Sequence, residues 1–190
     1  MKFLDALLGR SKPAQPKLDA LFGVTGAAIT LESAAGMKPT GQAAVCFKPA
    51  SGQGFAAASE ELQGLLELAV KEAGSKLEVT DDRYGYRWIV VTDPEMEDLV
   101  TSVHLVNSTL EQYGFGPQLL CSVFGFSDER GTRFYLVYLY KRGTFYPFAP
   151  LDGERRDNEL ELRVKATLGG DLPVEPELAR WFALWGLPLD

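Results

Sequence analysis

Few residues in this chain could carry catalytic chemistry. His104 is the only histidine, and a general base needs both an oriented partner and a nucleophile within reach. Cys46 and Cys121 are the only cysteines, and each lies in an apolar run typical of a buried strand. Two thiols and one imidazole fall short of the four paired ligands of a structural zinc site. We therefore expect His104 at the border of a helix, both cysteines in the core, and no metal.

Paired carboxylates occur at Asp81-Asp82 and at Glu60-Glu61. The first pair follows a strand-like run, as turn residues do, and the second fits the first turn of a helix, where acidic side chains are favoured. The glycines of GFGP at 114–117 and of GG at 169–170 match neither phosphate-binding loop pattern. We expect no catalytic residue, no cofactor and no enzymatic activity. A site assembled from distant residues is the remaining alternative, because motif searches miss such sites.

The composition is that of a soluble globular protein, with 46% hydrophobic and 24% charged residues. The formal net charge is -7, and the chain lacks the basic stripe that a nucleic-acid binder needs. No apolar run approaches the roughly 18–20 residues that span a bilayer, and MKFLDALLGRSK lacks the cleavage site of a secretory signal. The expected location is the cytoplasm, either free or peripheral to the inner membrane.

The apolar pattern predicts an α+β fold, in which helices pack on one face of an antiparallel sheet. The predicted strands are AAITLE, QAAVCFKP, a hairpin within LEVTDDRYGYRWIVVTD, LLCSVFGF, TRFYLVYLY and NELELRVKATL. The predicted helices are ASEELQGLLELAVKEAG, DPEMEDLVTSVHLVNSTLEQYG and PELARWFALWG, with a helical turn at LDALFG. Residues 18–190 are expected to form a single domain, and two subdomains that share a core and divide near 75–93 are the alternative.

Residues 1–17 are predicted to be an amphipathic segment followed by a proline-rich spacer. Four apolar side chains would share one face of a helix: Phe3, Leu4, Leu7 and Leu8. A helix of about a dozen residues is marginal in water, so this one needs a surface to fold on. We predict that residues 1–12 dock on anionic membrane or on a membrane-bound partner. The alternative is that they pack on the body of the protein.

The stretch from Tyr138 to Asn158 combines a strand, apolar on both sides, with a loop that is rich in aromatic residues. Ordinary loops are polar because they run over the surface, and large rings bury well only in a specific site. The loop is therefore either clamped onto its own domain or a contact surface for a partner. The predicted contact surface combines aromatic anchors with arginines that would pair with carboxylates or phospholipid head groups: Arg142, Phe145, Tyr146, Phe148, Arg155 and Arg156.

From end to end, the chain resembles the PspA-associated protein B (PspAB) family of soluble bacterial proteins. The resemblance rests on long blocks in the same order: FLDALLGRSKP at 3–13, LDALF at 18–22, AAITLESAAGMKPTG and VCF within 27–47, YGYRW at 84–88, VNSTLEQYGFGPQLLCS at 106–122, VYLYKRGTFYPFAP at 137–150 and GERRDNELEL at 153–162. Residues 48–80 and the last two dozen residues resemble the family less.

The resemblance implies a non-enzymatic accessory or adaptor protein of a phage-shock-type envelope-stress response. Its implied partner is a PspA-like protein or a membrane metalloprotease of the HtpX type, and it implies no catalytic residue. The alternative is a dimeric, chaperone-like module that holds extended peptides, similar in outline to secretion chaperones or YbjN-like proteins. That alternative requires a homodimer, whereas an adaptor does not.

Overall fold

The structure is a computed structural model that describes residues 17–49, 53–72 and 74–189, with the backbone alone for residues 53–62. Its main strands are β1 (Lys38–Phe47), β2 (Lys76–Asp81), β3 (Arg87–Thr92), β4 (Leu119–Ser127), β5 (Arg133–Leu139) and β6 (Thr144–Phe148). They form one antiparallel sheet in the order β2-β3-β1-β4-β5-β6. A small ribbon of β7 (Pro150–Leu151) and β8 (Arg155–Arg156) follows.

The described residues contain four α-helices: α1 (Gly23–Ala35), α2 (Gln53–Glu72), α3 (Met96–Gln112) and α4 (Asn158–Leu168). Short 3-10 helices occur at Leu18–Phe22, Gly116–Gln118 and Leu178–Arg180. Buried side chains of all four α-helices join one core cluster with alternate residues of the sheet. The predicted α+β fold, with helices on one face of an antiparallel sheet, is therefore confirmed.

The prediction of a strand at AAITLE is wrong, because these residues lie inside α1. The buried residues of this helix follow the spacing i, i+3, i+4, i+7: Val24, Ala27, Ala28 and Leu31. Gly36 ends the helix in the left-handed conformation, with φ of 65°. By length and composition the stretch Leu18–Ala35 could cross a membrane, with a mean hydropathy of 1.2. Its inward side chains fill the core under the sheet, as those of a core helix do.

The prediction of a strand at NELELRVKATL is also wrong, because this segment is α4. The carboxylate of Asp157 accepts the backbone N–H of Leu160 at 2.9 Å and so caps the helix. Leu160, Val164 and Leu168 are buried at i, i+4, i+8, whereas Leu162 is 50% exposed. The sequence alternates only because the exposed Leu162 lies between the buried Leu160 and Val164, which are spaced as in a helix.

The predicted helix at PELARWFALWG is present only as the single turn Leu178–Arg180. Trp181 is buried, while Leu178 and Phe182 are 53% and 59% exposed, so these side chains do not share one face. Apart from that turn, the chain runs in irregular conformation over the face of the sheet that carries no α-helix, which we call the helix-free face. We refer to residues 174–189 as the C-terminal segment.

The C-terminal segment covers a second core cluster on that helix-free face. The cluster combines sheet residues with two residues of the segment: Ala44, Cys46, Trp88, Val90, Cys121, Val123, Tyr135, Val137, Tyr146, Phe148, Trp181 and Leu189. The central strands are thus buried on both sides, as predicted for TRFYLVYLY. Since the sheet is apolar on both faces, this cover is needed to keep its second face from water.

Glu175 anchors the start of the C-terminal segment to the edge of the sheet. Its buried carboxylate accepts hydrogen bonds from Arg142 Nε and Thr144 Oγ1, both at 2.7 Å. On the backbone, Glu175 N–H donates to the carbonyl of Phe145 at 2.7 Å, and Phe145 N–H donates to that of Pro173 at 2.9 Å. The segment therefore begins as an extension of the sheet beside β6.

We predict that Glu175→Gln destabilises the fold by about 1–3 kcal/mol at neutral pH, because Arg142 loses its buried charged partner. Burial raises the pKa of Glu175. The hydrogen bonds from Arg142, Thr144 and Glu177 N–H lower it by more than burial raises it, so the pKa lies below the ordinary 4.5. A carboxyl whose folded pKa is depressed stabilises the fold above its unfolded pKa, and that stability is lost as pH falls through the folded pKa. The variant should therefore lose part of the acid dependence of unfolding below about pH 4.5.

Urea unfolding across this pH range measures both effects. Glu177→Gln is the matched control, because Glu177 pairs with Arg180 on the exposed surface, where an ion pair contributes about 0–1 kcal/mol. Equal stability of the two variants at every pH would show that Glu175 does not anchor the segment.

Candidate functional site

A cavity of about 460 Å³ opens between the helix-free face of the sheet and the C-terminal segment. This volume lies within the range of roughly 300–1,000 Å³ typical of ligand sites. Six aromatic side chains contribute to its walls: Tyr84, Tyr86, Trp88, Tyr146, Phe182 and Trp185. The thiols of Cys46 and Cys121 also line it, together with one carboxylate, that of Asp82. The cavity is therefore an aromatic site with little charge.

Asp82 organises the β2–β3 turn that forms one wall of the cavity. Its Oδ1 accepts the backbone N–H groups of Tyr84 and Tyr86 at 2.8 and 2.9 Å, and its Oδ2 accepts Trp88 Nε1 at 2.9 Å. Burial raises the pKa of Asp82, but these hydrogen bonds and the charge of Lys48 lower it below its ordinary value. Asp82 therefore serves the turn, as predicted, and fixes three aromatic residues around the cavity.

Cys46 and Cys121 lie directly opposite each other on β1 and β4. Both are free thiols, 3% and 6% exposed, so the prediction that they are buried is confirmed. The interaction with Cys121, together with burial, raises the pKa of Cys46 far above the ordinary value. Cys46 is therefore a protonated thiol at neutral pH, and it must give up its proton in any reaction in which it acts as a nucleophile. The sequence placed both cysteines in strands, but the pairing follows only from the register of the sheet.

The C-terminal segment forms the opposite wall and is held by side chains of the sheet. Tyr146 Oη donates to the carbonyl of Phe182 at 2.9 Å, and Tyr135 Oη donates to that of Leu189 at 3.2 Å. Tyr84 and Phe182 both line the cavity, and they are 50% and 59% exposed. We call these two side chains the aromatic rim.

The three rings of the predicted contact surface are buried in the domain. Phe145, Tyr146 and Phe148 are 0%, 1% and 0% exposed, and they lie on strand β6, not in a loop. Gly143, with φ of 68°, makes the tight turn from β5 into β6. Tyr146 lines the cavity from within, and none of the three rings lies on the outer surface. This agrees with the alternative that the segment is clamped onto its own domain.

Two of the three arginines of that predicted surface also hold the protein's own chain. Arg142 pairs with Glu175, and Arg156 Nε donates to Glu161 Oε1 at 2.8 Å. Arg156 Nη1 also donates to the carbonyl of Trp181. Arg155 stays exposed, and its Nε donates to the carbonyl of Asp152 at 3.0 Å. Within the described residues, Arg155 is therefore the arginine of the set that is bound only within its own exposed turn.

His104 lies on the helical side of the sheet. Its Nε2 is 3.8 Å from Asp19 Oδ1, too far for a hydrogen bond, and its ring packs on Phe22 with centroids 4.8 Å apart. The lining of the cavity, within the described residues, contains no histidine, and its one carboxylate already accepts three hydrogen bonds. This arrangement suits binding better than acid–base chemistry. Phe3, Leu4, Leu7, Leu8 and the Glu60-Glu61 side chains lie outside what the structure describes.

Comparison with known protein families matches residues 1–189 to the family described as PspA associated protein B. No curated protein and no solved structure gives a significant match. The matched range contains the whole of the cavity and the aromatic rim.

We predict that the cavity binds apolar dyes such as anilinonaphthalene sulfonate, because its walls are mainly aromatic. Trp88 and Trp185 line it, so energy transfer from tryptophan to the dye should be detectable. Ala183→Trp, at the exposed wall, should reduce dye affinity by about tenfold, equivalent to about 1.4 kcal/mol, because the new ring fills the mouth. Ala34→Trp is the control, since Ala34 is an exposed residue of α1. Equal dye binding by both variants would place the dye elsewhere.

Proposed function

Because the chain belongs to the PspA associated protein B family, we propose that it is a non-enzymatic accessory protein of a bacterial envelope-stress system and binds a PspA-like protein. The family name implies an association with PspA. A membrane metalloprotease of the HtpX type is the other partner that we consider. In this proposal the protein acts in the cytoplasm or at the inner face of the membrane.

The observation that best supports a binding role is the aromatic rim beside an aromatic cavity. Partly exposed aromatic side chains next to a concave, desolvated site are typical of the residues that dominate protein interfaces. The side chains of the aromatic rim are partly exposed, whereas the rings of β6 are buried. We therefore propose that an apolar side chain of the partner enters the cavity between Tyr84 and Phe182.

Charged groups near the rim can add direction to such a contact. Arg83 precedes Tyr84 and pairs with Glu154 at 2.9 Å on the exposed surface. This pair ties the β2–β3 turn to the turn between β7 and β8, and Arg155 follows Glu154 directly. We propose that Arg155, whose guanidinium is exposed, pairs with a carboxylate of the partner. Contacts at such a rim set orientation more than affinity.

We predict that the double variant Tyr84→Ala/Phe182→Ala weakens binding of a purified PspA-like protein from the same organism by at least about 30-fold, the loss expected from about 2 kcal/mol at an interface hot spot. Its melting temperature should stay close to that of the parent, because both side chains are half exposed. Calorimetric titration measures the affinity. The matched control is Tyr113→Ala, since Tyr113 is also 50% exposed but follows α3 on the helical side.

Two results would count against this proposal. If neither the PspA-like protein nor a detergent-solubilised HtpX-type protease binds the parent chain, the accessory role in this form is wrong. If a partner binds and the Tyr113 variant loses as much affinity as the double variant, the contact lies outside the aromatic rim.

The N-terminal segment is the second part of the proposal. Residues 1–12 carry a positive excess of two, from Lys2, Arg10 and Lys12 against Asp5. Burying four apolar side chains contributes about 1.5–3 kcal/mol each, offset by the cost of ordering about ten residues. The balance corresponds to weak, reversible docking on anionic membrane or on a membrane-bound partner. The structure describes the chain from residue 17 onward, and the first apolar side chains after it, those of Leu18 and Leu21, are buried in the core.

We predict that deletion of residues 1–16 abolishes co-sedimentation with anionic liposomes and leaves the melting temperature nearly unchanged. A full-length control in which Leu4 and Leu8 are both changed to Glu should lose liposome binding in the same way, because charge on the apolar face prevents its burial. A large drop in melting temperature after the deletion would show that the segment packs on the body of the protein.

A further inference from the structure

Cys46 and Cys121 occupy a position from which a disulfide can form. They are direct partners in the antiparallel pair of β1 and β4. Side chains directly opposite each other in such a pair have Cβ atoms about 4.5–5.5 Å apart, close to the spacing of about 3.5–4.5 Å that a disulfide requires. The register is irregular immediately after Cys46, where Phe47 pairs with Leu119. A bulge bends the strand and increases its twist locally, so the ladder beside Cys46 is not held in regular geometry.

The cavity gives both thiols a route to small molecules. Cys46 and Cys121 are among its lining residues, and Cys121 is the more exposed of the two. A cavity of about 460 Å³ has room for a small hydroperoxide, whereas the thiols themselves are only 3% and 6% exposed at the surface. Oxidation inside the cavity therefore favours a bond between these two sulfurs over a bond to another chain.

The surroundings of the thiols favour a neutral product. The second core cluster places Ala44, Val123 and Trp88 around them, and an apolar environment penalises charge. A structural zinc ion takes four ligands, and the two thiolates would supply only half of them. The described residues contain no group of three or more His, Cys, Asp or Glu side chains suited to a metal. A disulfide satisfies both sulfurs and carries no charge.

We propose that Cys46 and Cys121 are a reversible oxidation site, at which a small hydroperoxide converts the two thiols to a cross-strand disulfide at the floor of the aromatic cavity. The inference does not depend on the identity of the protein partner. A bond of this kind links the two central strands β1 and β4 and stiffens the floor beneath the aromatic rim.

The reaction with hydrogen peroxide has two steps. Cys121 Sγ, after loss of its proton, attacks one peroxide oxygen; the O–O bond breaks and the departing hydroxide takes up the proton as water. This leaves a sulfenic acid on Cys121. Cys46 Sγ then attacks that sulfur; the S–S bond forms, the S–O bond breaks, and the hydroxide leaves with the Cys46 proton as a second water. Two thiols lose two electrons in total, and one peroxide is reduced to two waters.

Mass spectrometry of the folded, full-length protein tests the proposal. After treatment with hydrogen peroxide at low molar excess and alkylation of remaining thiols, the intact monomer should lose the mass of two hydrogen atoms and take up no alkylating agent. Its peptides containing Cys46 and Cys121 should be recovered as one linked species. Treatment with dithiothreitol should restore both thiols. The oxidised monomer should also melt at a higher temperature than the reduced one, because the bond constrains the unfolded chain.

Single variants complete the test. Cys46→Ser should retain a sulfenic acid on Cys121, trapped by dimedone, because the resolving thiol is missing. Cys121→Ser should react more slowly with peroxide than the parent chain, since Cys46 is the less exposed thiol. Linked dimers between chains, or irreversible oxidation of Cys121 with Cys46 still alkylated, would overturn the proposal. An unmodified parent chain under conditions that oxidise free glutathione would also overturn it.

Discussion

Both faces of the sheet are apolar, but the α-helices cover only one of them. The structure therefore depends on a second cover for the other face. Burial of apolar surface contributes about 25 cal/mol per Å², so a second face with Trp88, Val123 and Val137 cannot remain in water. The C-terminal segment supplies the cover. Glu175 joins it to Arg142 and Thr144, the ring of Trp181 stacks on Tyr146 at 6.1 Å, and Leu189 accepts a hydrogen bond from Tyr135.

This cover consists of separate attachment points, and the cavity is its consequence. A helix laid on the sheet would pack side chains continuously, whereas an irregular segment leaves space between its anchors. The space lies between Trp185, Phe182 and the β2–β3 turn that Asp82 holds in place. A site of this kind offers aromatic contact area, which is what the proposed contact with a partner's apolar side chain requires. The thiols of Cys46 and Cys121 line the cavity, so a small molecule that enters it can contact them.

The sequence predicted the elements whose patterns had a single interpretation. The strands β3, β4 and β5 and the helices α2 and α3 carry long apolar runs or clear helical stripes, and all are present. The prediction for NELELRVKATL was wrong because Leu160 and Val164 fit both an alternating strand and a helix. The hydrogen bond that Asp157 Oδ1 accepts from Leu160 N–H favours the helix. The prediction for AAITLE was wrong because its short apolar run also fits a helix, and its alanines pack closely in α1. The pattern of PELARWFALWG fits a helix, but Trp181 and its neighbours are fixed by tertiary contacts with β6.

The candidate site was predictable only in part, because its members come from five distant stretches of chain. The unusual aromatic content of β6 was visible in the sequence, and four of the six residues singled out there hold the C-terminal segment: Arg142, Tyr146, Phe148 and Arg156. No local pattern indicates that Cys46 faces Cys121, since this follows from the register of β1 against β4. Tyr84 and Phe182 likewise line one cavity only because of the fold.

Hydrogen exchange of the protein in complex with the proposed PspA-like partner tests the central claim most directly, since it reports which backbone amides the partner covers. The account predicts slower exchange in residues 82–86 and 182–185, with α1 and α4 unchanged from the free protein. Slower exchange confined to the helical side, with the turn after β2 and the C-terminal segment unchanged, would contradict it.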